Sequence, residues 1–209
     1  MSLLPSTVLA TLSSQARSGV CAFCEISTSY PSFPPSTPAP APPPTPPAQQ
    51  QQSHIVLSTP DVIAFLDILP LTRAHVLVCP RAHREKLSDL SPAENAVVGA
   101  WLPVVARAAC NVSGYADFNL VQNNGVNAAQ VVPHVHYHII PRPDERQREK
   151  LERDTPGAKK QWWKSPFGSG WRTDLDDDEG EALAKLMREE IIKEVGQMRD
   201  KDSRVLALL

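Results

Sequence analysis

The stretch Val131–Pro143, VVPHVHYHIIPRP, carries half of the chain's six histidines, with Pro133 and Pro141 on either side of them. Histidine at every second position reads as a strand, because successive side chains in a strand alternate between its faces. His134, His136 and His138 then share one face. Val135, Tyr137 and Ile139 form the other, which is apolar enough to meet a core. Three imidazoles buried as a purely structural row would each need a polar partner, which argues against that reading. Two functional readings remain from the spacing alone: a metal site, since an H-x-H pair chelates readily, or chemistry on a ligand.

The segment just upstream weighs towards a ligand. NNGVNAAQ (123–130) is small and polar, and Gly125 permits an unusual backbone turn. Such a loop offers amides and side-chain donors to phosphate oxygens. It holds no acidic residue for magnesium, and the chain contains no G-x-x-x-x-G-K-[ST] sequence, so neither a magnesium-binding motif nor a P-loop is expected.

Working outward, HIVLSTPDVIAFLDIL (54–69) reads as two short strands around a turn at Ser58–Asp61, and AHVLVCP (74–80) as a third, stopped by Pro80. Residues 117–123 and 134–140 supply two more. SPAENAVVGAWLPVVARAAC (91–110) is a helix: Ser91 is a natural N-cap, Pro92 suits the first helical position, and Glu94 completes a capping box. Pro103 should kink it. Residues 144–160 are densely charged with both signs, a solvated helix or linker. WWKSPFGSGW (162–171) holds three of the four tryptophans, and its Trp162, Trp163, Phe167 and Trp171 suit packing or a dimer contact. From Asp176 another helix is expected, capped by Asp176 with Glu179, with Leu183, Met187, Ile191 and Val195 on one apolar face. The fold class is therefore α+β: an antiparallel sheet of about five strands, one long helix and a C-terminal helical extension.

Composition narrows the function. The 209 residues carry a net charge of −2, which does not suit a duplex-coating protein. No apolar run approaches the roughly 20 residues of a membrane span. Residues 1–20 lack the pattern of a secretory signal and hold one Arg, few for a mitochondrial transit peptide. Cytoplasm or nucleus is expected, with mitochondria the lesser alternative. The four cysteines are then read as reduced. Residues 28–52 form an insert. PSFPPSTPAPAPPPTPP (31–47) has ten prolines in 17 positions, and four glutamines follow. It cannot pair in a sheet or fill a core, so it is expected to be extended and mobile; it also resembles a ligand for proline-reading domains.

HVHYHII resembles the histidine triad (HIT) signature, His-φ-His-φ-His-φ-φ with φ apolar. The resemblance extends back through FNLVQNNGVNAAQVVP, FLDILPLTRAHVLVCPRAH and CAFCEI, covering about residues 21–141 without the proline insert. Tyr137 fills an apolar slot, and AAQVV replaces the more usual Gly-Gln-Ser/Thr, so that Val131 offers only its backbone N–H. The resemblance implies an N-terminal segment (1–20), a HIT domain (21–143) and an extension (144–209). It implies nucleotidyl transfer or hydrolysis at the α-phosphate of a purine nucleotide conjugate, an adenosine phosphoramidate or a diadenosine polyphosphate. His136 matches the nucleophile that becomes covalently nucleotidylated. His138 matches the residue that contacts the phosphate and the leaving atom. Asn123, Gln130 and Val131 would bind the phosphoryl oxygens. Asp67 and Ile68 match the positions at the ribose and base. His75 supports the triad from the adjacent strand. Family members of this type commonly pair as homodimers.

Cys21 and Cys24 form a C-x-x-C, which alone is ambiguous. The resemblance implies a structural zinc site, since a subset of the family pairs this motif with a Pro-x-x-His and the first triad histidine. Here those are His83 (in PRAH, 80–83) and His134. In the rival reading His134 supports His136 and the cysteines pack as small apolar groups. For the whole chain, the alternative to an enzyme is a non-catalytic nucleotide sensor whose Pro-rich insert recruits a partner. The DNA-end-repair branch of the family would want a basic surface and an added zinc finger, and the tail carries no cysteine.

Overall fold

The structure is a computed structural model that describes residues 21–35, 52–154, 162–165, 168–171 and 174–201. Five strands, β1 (Ile55–Ser58), β2 (Val62–Leu66), β3 (Val76–Pro80), β4 (Asp117–Gln122) and β5 (Tyr137–Arg142), make one antiparallel sheet in the order β1-β2-β3-β5-β4. Alternation along the central strands divides the core in two. Val62, Ala64, Leu66, Val76, Val78, Tyr137 and Ile139 point to one side of the sheet. Ile63, Phe65, Leu77 and Cys79 point to the other. Both faces are therefore covered, which is why β1, β2 and β3 read as nearly unbroken apolar runs.

The first side is covered by two long helices. Helix α2 (Pro92–Ser113) follows a short α1 (Ala22–Ser29) in the chain. Ser91 Oγ accepts from Glu94 N–H and the Glu94 carboxylate accepts from Ser91 N–H, the expected capping box, and Gly114 ends the helix with φ +75°. The helix runs on through Pro103. The carbonyl that loses its partner belongs to Gly99, and both residues are exposed, so the loss falls on the solvent side. Against the expectation that no segment approaches a membrane span, α2 is long and apolar enough to cross one by length and composition. It is a core helix here: Val98, Trp101, Val104, Val105, Ala108 and Ala109 are buried against the sheet side chains.

After a charged helix α3 (Glu145–Asp154) and a hairpin of β6 (Trp162–Ser165) with β7 (Gly168–Trp171), the chain ends its described part in α4 (Asp177–Lys201). Asp176 Oδ1 accepts the N–H groups of Asp178 and Glu179 at 3.1 and 3.2 Å, so the expected cap is in place. Leu183, Met187, Ile191 and Val195, with Ala184, enter the same core cluster as α2. The C-terminal helix is thus part of the main core.

Helix α1 covers the second side through Phe23. It is followed by Tyr30 and Phe33, both packed against that cluster, and Phe33 N–H bonds Ser58 O at 2.8 Å. The insert expected to be free from residue 28 is therefore anchored up to Phe33, because an aromatic pair offers apolar area that a proline run does not. Residues 36–51, the bulk of the proposed mobile segment and of the proline-reading ligand, lie outside the described residues, as do residues 1–20 and Phe167.

Candidate active site and metal centre

His138 lies in β5, paired with Val121 on one side and Leu77 on the other. His134 and His136 precede the strand, which begins at Tyr137 rather than at 134. Their alternation survives the loss of ladder pairing. Val135 is buried in the core beneath the sheet, and the imidazoles face the α1 side. All three rings are buried. The objection to burying such a row is met by a polar partner for each.

His136 Nδ1 lies 2.7 Å from the backbone oxygen of His134. A carbonyl only accepts, so Nδ1 carries the proton and Nε2 keeps its lone pair. Burial lowers the His136 pKa, against the raising effects of that carbonyl and of the Asp67 charge. The ring is therefore neutral near pH 7. Phe23 from α1 packs edge-on against it, centroids 5.2 Å apart at 86°, and also against His134 at 5.9 Å. Sequence reasoning missed Phe23. The C-x-x-C drew attention away from the aromatic between the cysteines.

A second chain of bonds orients His138. Leu71 N–H donates to His75 Nδ1 at 3.2 Å, so the His75 proton sits on Nε2. That Nε2–H reaches His138 Nδ1 at 3.0 Å, which leaves the His138 proton on its own Nε2. The Asp67 carboxylate lies 3.5 Å from His75 and 3.7 Å from His138. His75 is thus more than a satisfied core histidine, since it selects the tautomer of its neighbour.

The loop between β4 and β5 turns at Gly125, φ +91°, and at Ala129, φ +62°, around a single helical turn at Val126–Ala128. The strand-to-loop step places Asn123 beside it, with Nδ2 3.5 Å from Ala129 O. Gln130 was expected to contact phosphate. Its side chain is instead committed to the backbone of three segments: Oε1 accepts Gly125 N–H at 2.5 Å, and Nε2 donates to Glu85 O at 2.7 Å and to His134 O at 3.2 Å. It therefore steadies the same carbonyl that holds His136. Val131 is 53% exposed, with its side chain open to solvent. Asp67 and Ile68 follow β2 at the other end. Asp67 Oδ1 accepts Leu69 N–H at 2.8 Å, and Ile68 is partly exposed.

Cys21, Cys24, His83 and His134 converge as the resemblance implied, with one ligand atom from each within 4.8 Å of the others. The Sγ–Nδ1 separations are 3.4 Å (Cys21–His134), 3.6 Å (Cys24–His134) and 3.3 Å (Cys24–His83). Bond lengths of about 2.3 Å to sulfur and 2.0–2.1 Å to nitrogen give a tetrahedral S···N edge of about 3.6 Å. The donor set therefore fits a tetrahedral thiolate–imidazole centre. His134 Nε2 also lies 2.8 Å from Pro80 O, so it donates there and leaves Nδ1 unprotonated for a metal. Burial and the adjacent Cys21 push the Cys24 thiol up to about 11. Asp67, His75 and His138 also cluster. That group does not fit a metal: His75 would bind through Nε2 while Nδ1 already accepts a proton, the reverse of the usual ligand histidine.

Comparison with known proteins places these features. A family model described as HIT domain matches residues 48–145. An adenosine 5'-monophosphoramidase of Schizosaccharomyces pombe is 43% identical over 83 residues, 40% of this chain and 59% of that one, so the match spans less than two thirds of its length. An adenosine 5'-monophosphoramidase of Candida albicans is 32% identical over 147 residues, 66% of this chain and 82% of that one. Among solved structures, a hypothetical histidine triad nucleotide-binding protein from Sulfolobus tokodaii superposes with a TM-score of 0.55 at 25% identity, over 68% of this chain and 86% of that one.

Proposed function

This chain belongs to the HIT domain family, and on that premise we propose that it is a nucleotide hydrolase or transferase acting at the α-phosphate of a purine nucleotide conjugate, through a covalent nucleotidyl-His136. The observation that carries this reading is the pair of fixed tautomers. His136 offers a lone pair at Nε2, and His138 offers an N–H at Nε2. A nucleophile and a hydrogen-bond donor on one face, two residues apart, suit a phosphoryl centre between them.

In this scheme His136 Nε2 attacks the α-phosphorus and the bond from phosphorus to the leaving group breaks, the leaving group keeping the electron pair. A phosphate or sulfate leaves as an anion, whereas an amine takes a proton from solvent. The ring becomes a cationic nucleotidyl-imidazolium, and its Nδ1–H strengthens its bond to the His134 carbonyl. His138 Nε2–H, the Val131 backbone N–H and Asn123 stabilise charge on the phosphoryl oxygens. Water then attacks phosphorus and gives up a proton to solvent, the P–Nε2 bond breaks with its electron pair returning to nitrogen, and His136 returns as neutral imidazole. Asp67 and Ile68 hold the ribose and base. Gln130 acts indirectly, through His134 O.

Cys21, Cys24, His83 and His134 hold a structural zinc ion in this account. Four protein ligands leave no open position, so the ion supplies rigidity rather than chemistry. It fixes His134, whose carbonyl holds the nucleophile. A homodimer is proposed through β4: the strand is an edge of the sheet with no further strand beside it among the described residues, and Phe118 (44%) and Leu120 (48%) are exposed on it. The names of the yeast relatives favour adenosine phosphoramidates as a first substrate class to test. The alternative, a nucleotide sensor with a Pro-rich docking segment, has no need of a nucleophile with its lone pair free. The test is turnover of an adenosine phosphoramidate by the wild-type chain and by His136→Ala. A loss on the order of 10⁴-fold with AMP still bound supports the enzyme. Wild-type turnover by the variant refutes the mechanism.

A further inference from the structure

The reaction scheme uses no residue beyond β5, yet the start of the C-terminal helix touches the nucleoside end of the site. Leu175 N–H donates to Ile68 O at 3.0 Å, and its side chain packs against the main core. Two residues on, Asp177 Oδ1 lies 3.3 Å from Nε2 of the buried His54. Gly180 sits flat on the same ring. A Cβ there would fall 2.3 Å from His54 Nε2 and 2.4 Å from Cδ2, so only glycine allows this approach. Glu179 reaches Arg73 at 3.8 Å.

These contacts converge on one loop. Ile68 and Arg73 both belong to the β2–β3 connection, which begins at Asp67 and ends at His75. His54 in turn accepts, through its backbone oxygen, the N–H of Leu66, the last residue of β2. The residues that lead into α4 therefore hold the loop through Leu175, and the first turn of the helix braces the end of β2 through His54. The helix that carries the grip is immobilised by Leu183, Ala184, Met187, Ile191 and Val195 in the core. The phosphoryl end of the site has other supports: α1, the β4–β5 loop and Gln130.

We propose that residues 174–180 are a clip that sets the position of the nucleoside loop, with Leu175 and Gly180 as positioning residues for the purine nucleoside half of the ligand. The clip rests on the reading of Asp67 and Ile68 as the nucleoside end. Because its bonds fall on Ile68 and, through His54, on Leu66, while the bonds that orient His138 run through Leu71, His75 and Asp67, loosening it should weaken nucleotide binding more than it slows the chemical step. This division would not arise from a general loss of stability.

AMP is the binding probe and an adenosine phosphoramidate the substrate, both with the full chain. Gly180→Ala drives a methyl group into the His54 ring, and Leu175→Pro removes the N–H that holds Ile68. Each should weaken AMP binding and raise KM about tenfold while kcat stays within about threefold. Folded Gly180→Ala and Leu175→Pro proteins with wild-type affinity would overturn the clip. Should either variant fail to fold, the wild-type chain still decides: saturating AMP should slow hydrogen exchange at the Leu175 amide at least tenfold, and unchanged exchange overturns the proposal. A wild-type chain that binds no AMP overturns the functional reading itself, an outcome recorded before any substitution is made.

Discussion

Replacing Gln130 separates two accounts of how the phosphate loop works. If its side chain touched phosphate, Gln130→Ala would raise KM and leave stability alone. The structure assigns that side chain to Gly125 N–H, Glu85 O and His134 O. Removing it deletes those three hydrogen bonds, each contributing about 1 kcal/mol net, for a loss of roughly 3 kcal/mol. Gly125 is half-buried and Glu85 exposed, so water can reach those two groups, and the buried His134 O keeps its bond from His136 Nδ1–H, so the penalty should not climb much higher. For a chain of this size that loss lowers Tm by roughly 6–12 °C. The nearly isosteric Gln130→Glu is the sharper change. Its carboxylate still accepts from Gly125, but its other oxygen faces two carbonyl oxygens with no proton to offer. It should lose at least as much stability as the alanine variant. It should also slow the nucleotidylation step more, because His134 O is pushed from its place under His136 Nδ1. Calorimetric melting together with single-turnover kinetics measures both quantities. A Gln130→Glu protein with wild-type Tm and a selectively raised KM would refute the tie and restore direct phosphate contact.

Further outcomes follow from other parts of the molecule. Protein purified without chelator should contain about one zinc per chain, and His83→Ala should lose it together with 10- to 100-fold of turnover, although His83 touches no substrate in this account; elemental analysis and melting with and without chelator check this, and chelator-insensitive stability in metal-free wild type refutes the site. Met187→Ala empties a fully buried position between α4 and the sheet and should cost roughly 2–5 kcal/mol by denaturant titration, whereas a loss under about 1 kcal/mol would mean that the C-terminal helix is only loosely docked. Val131→Ser places a hydroxyl beside the triad and should raise kcat/KM about tenfold or more, the worth of one charge-assisted hydrogen bond; an unchanged rate would show that the backbone N–H suffices there.

Much of the architecture is legible in the residues. Apolar, β-prone runs bounded by turn residues located β1 to β3, Ser91 and Asp176 marked the helix starts, and the i,i+4 apolar row of α4 named the face that is buried. The four metal-type ligands were legible through the family resemblance, which joins the C-x-x-C to the Pro-x-x-His and to the first triad histidine. What stayed hidden depends on long-range packing. Nothing local says that β5 starts at Tyr137, because side-chain alternation continues through the unpaired residues before it. Tyr30 and Phe33 looked like the head of a proline insert, and only the cluster around Phe23 explains why they are held. Gln130 was identified as important, but its partners lie on two other loops. His54 drew no attention as a lone histidine near a strand start, and its role emerges from a glycine 126 positions away, Gly180.

The central claim is that His136 Nε2 forms a bond to the α-phosphorus. The most direct measurement mixes the chain with an adenylated substrate, stops the reaction in base within a single turnover, and maps the adduct by mass spectrometry of peptides spanning residues 131–143. The account predicts a nucleotidyl group on the ring of His136, labile to acid, and none in His136→Ala. An adduct on another residue, or one that persists in His136→Ala, would contradict it.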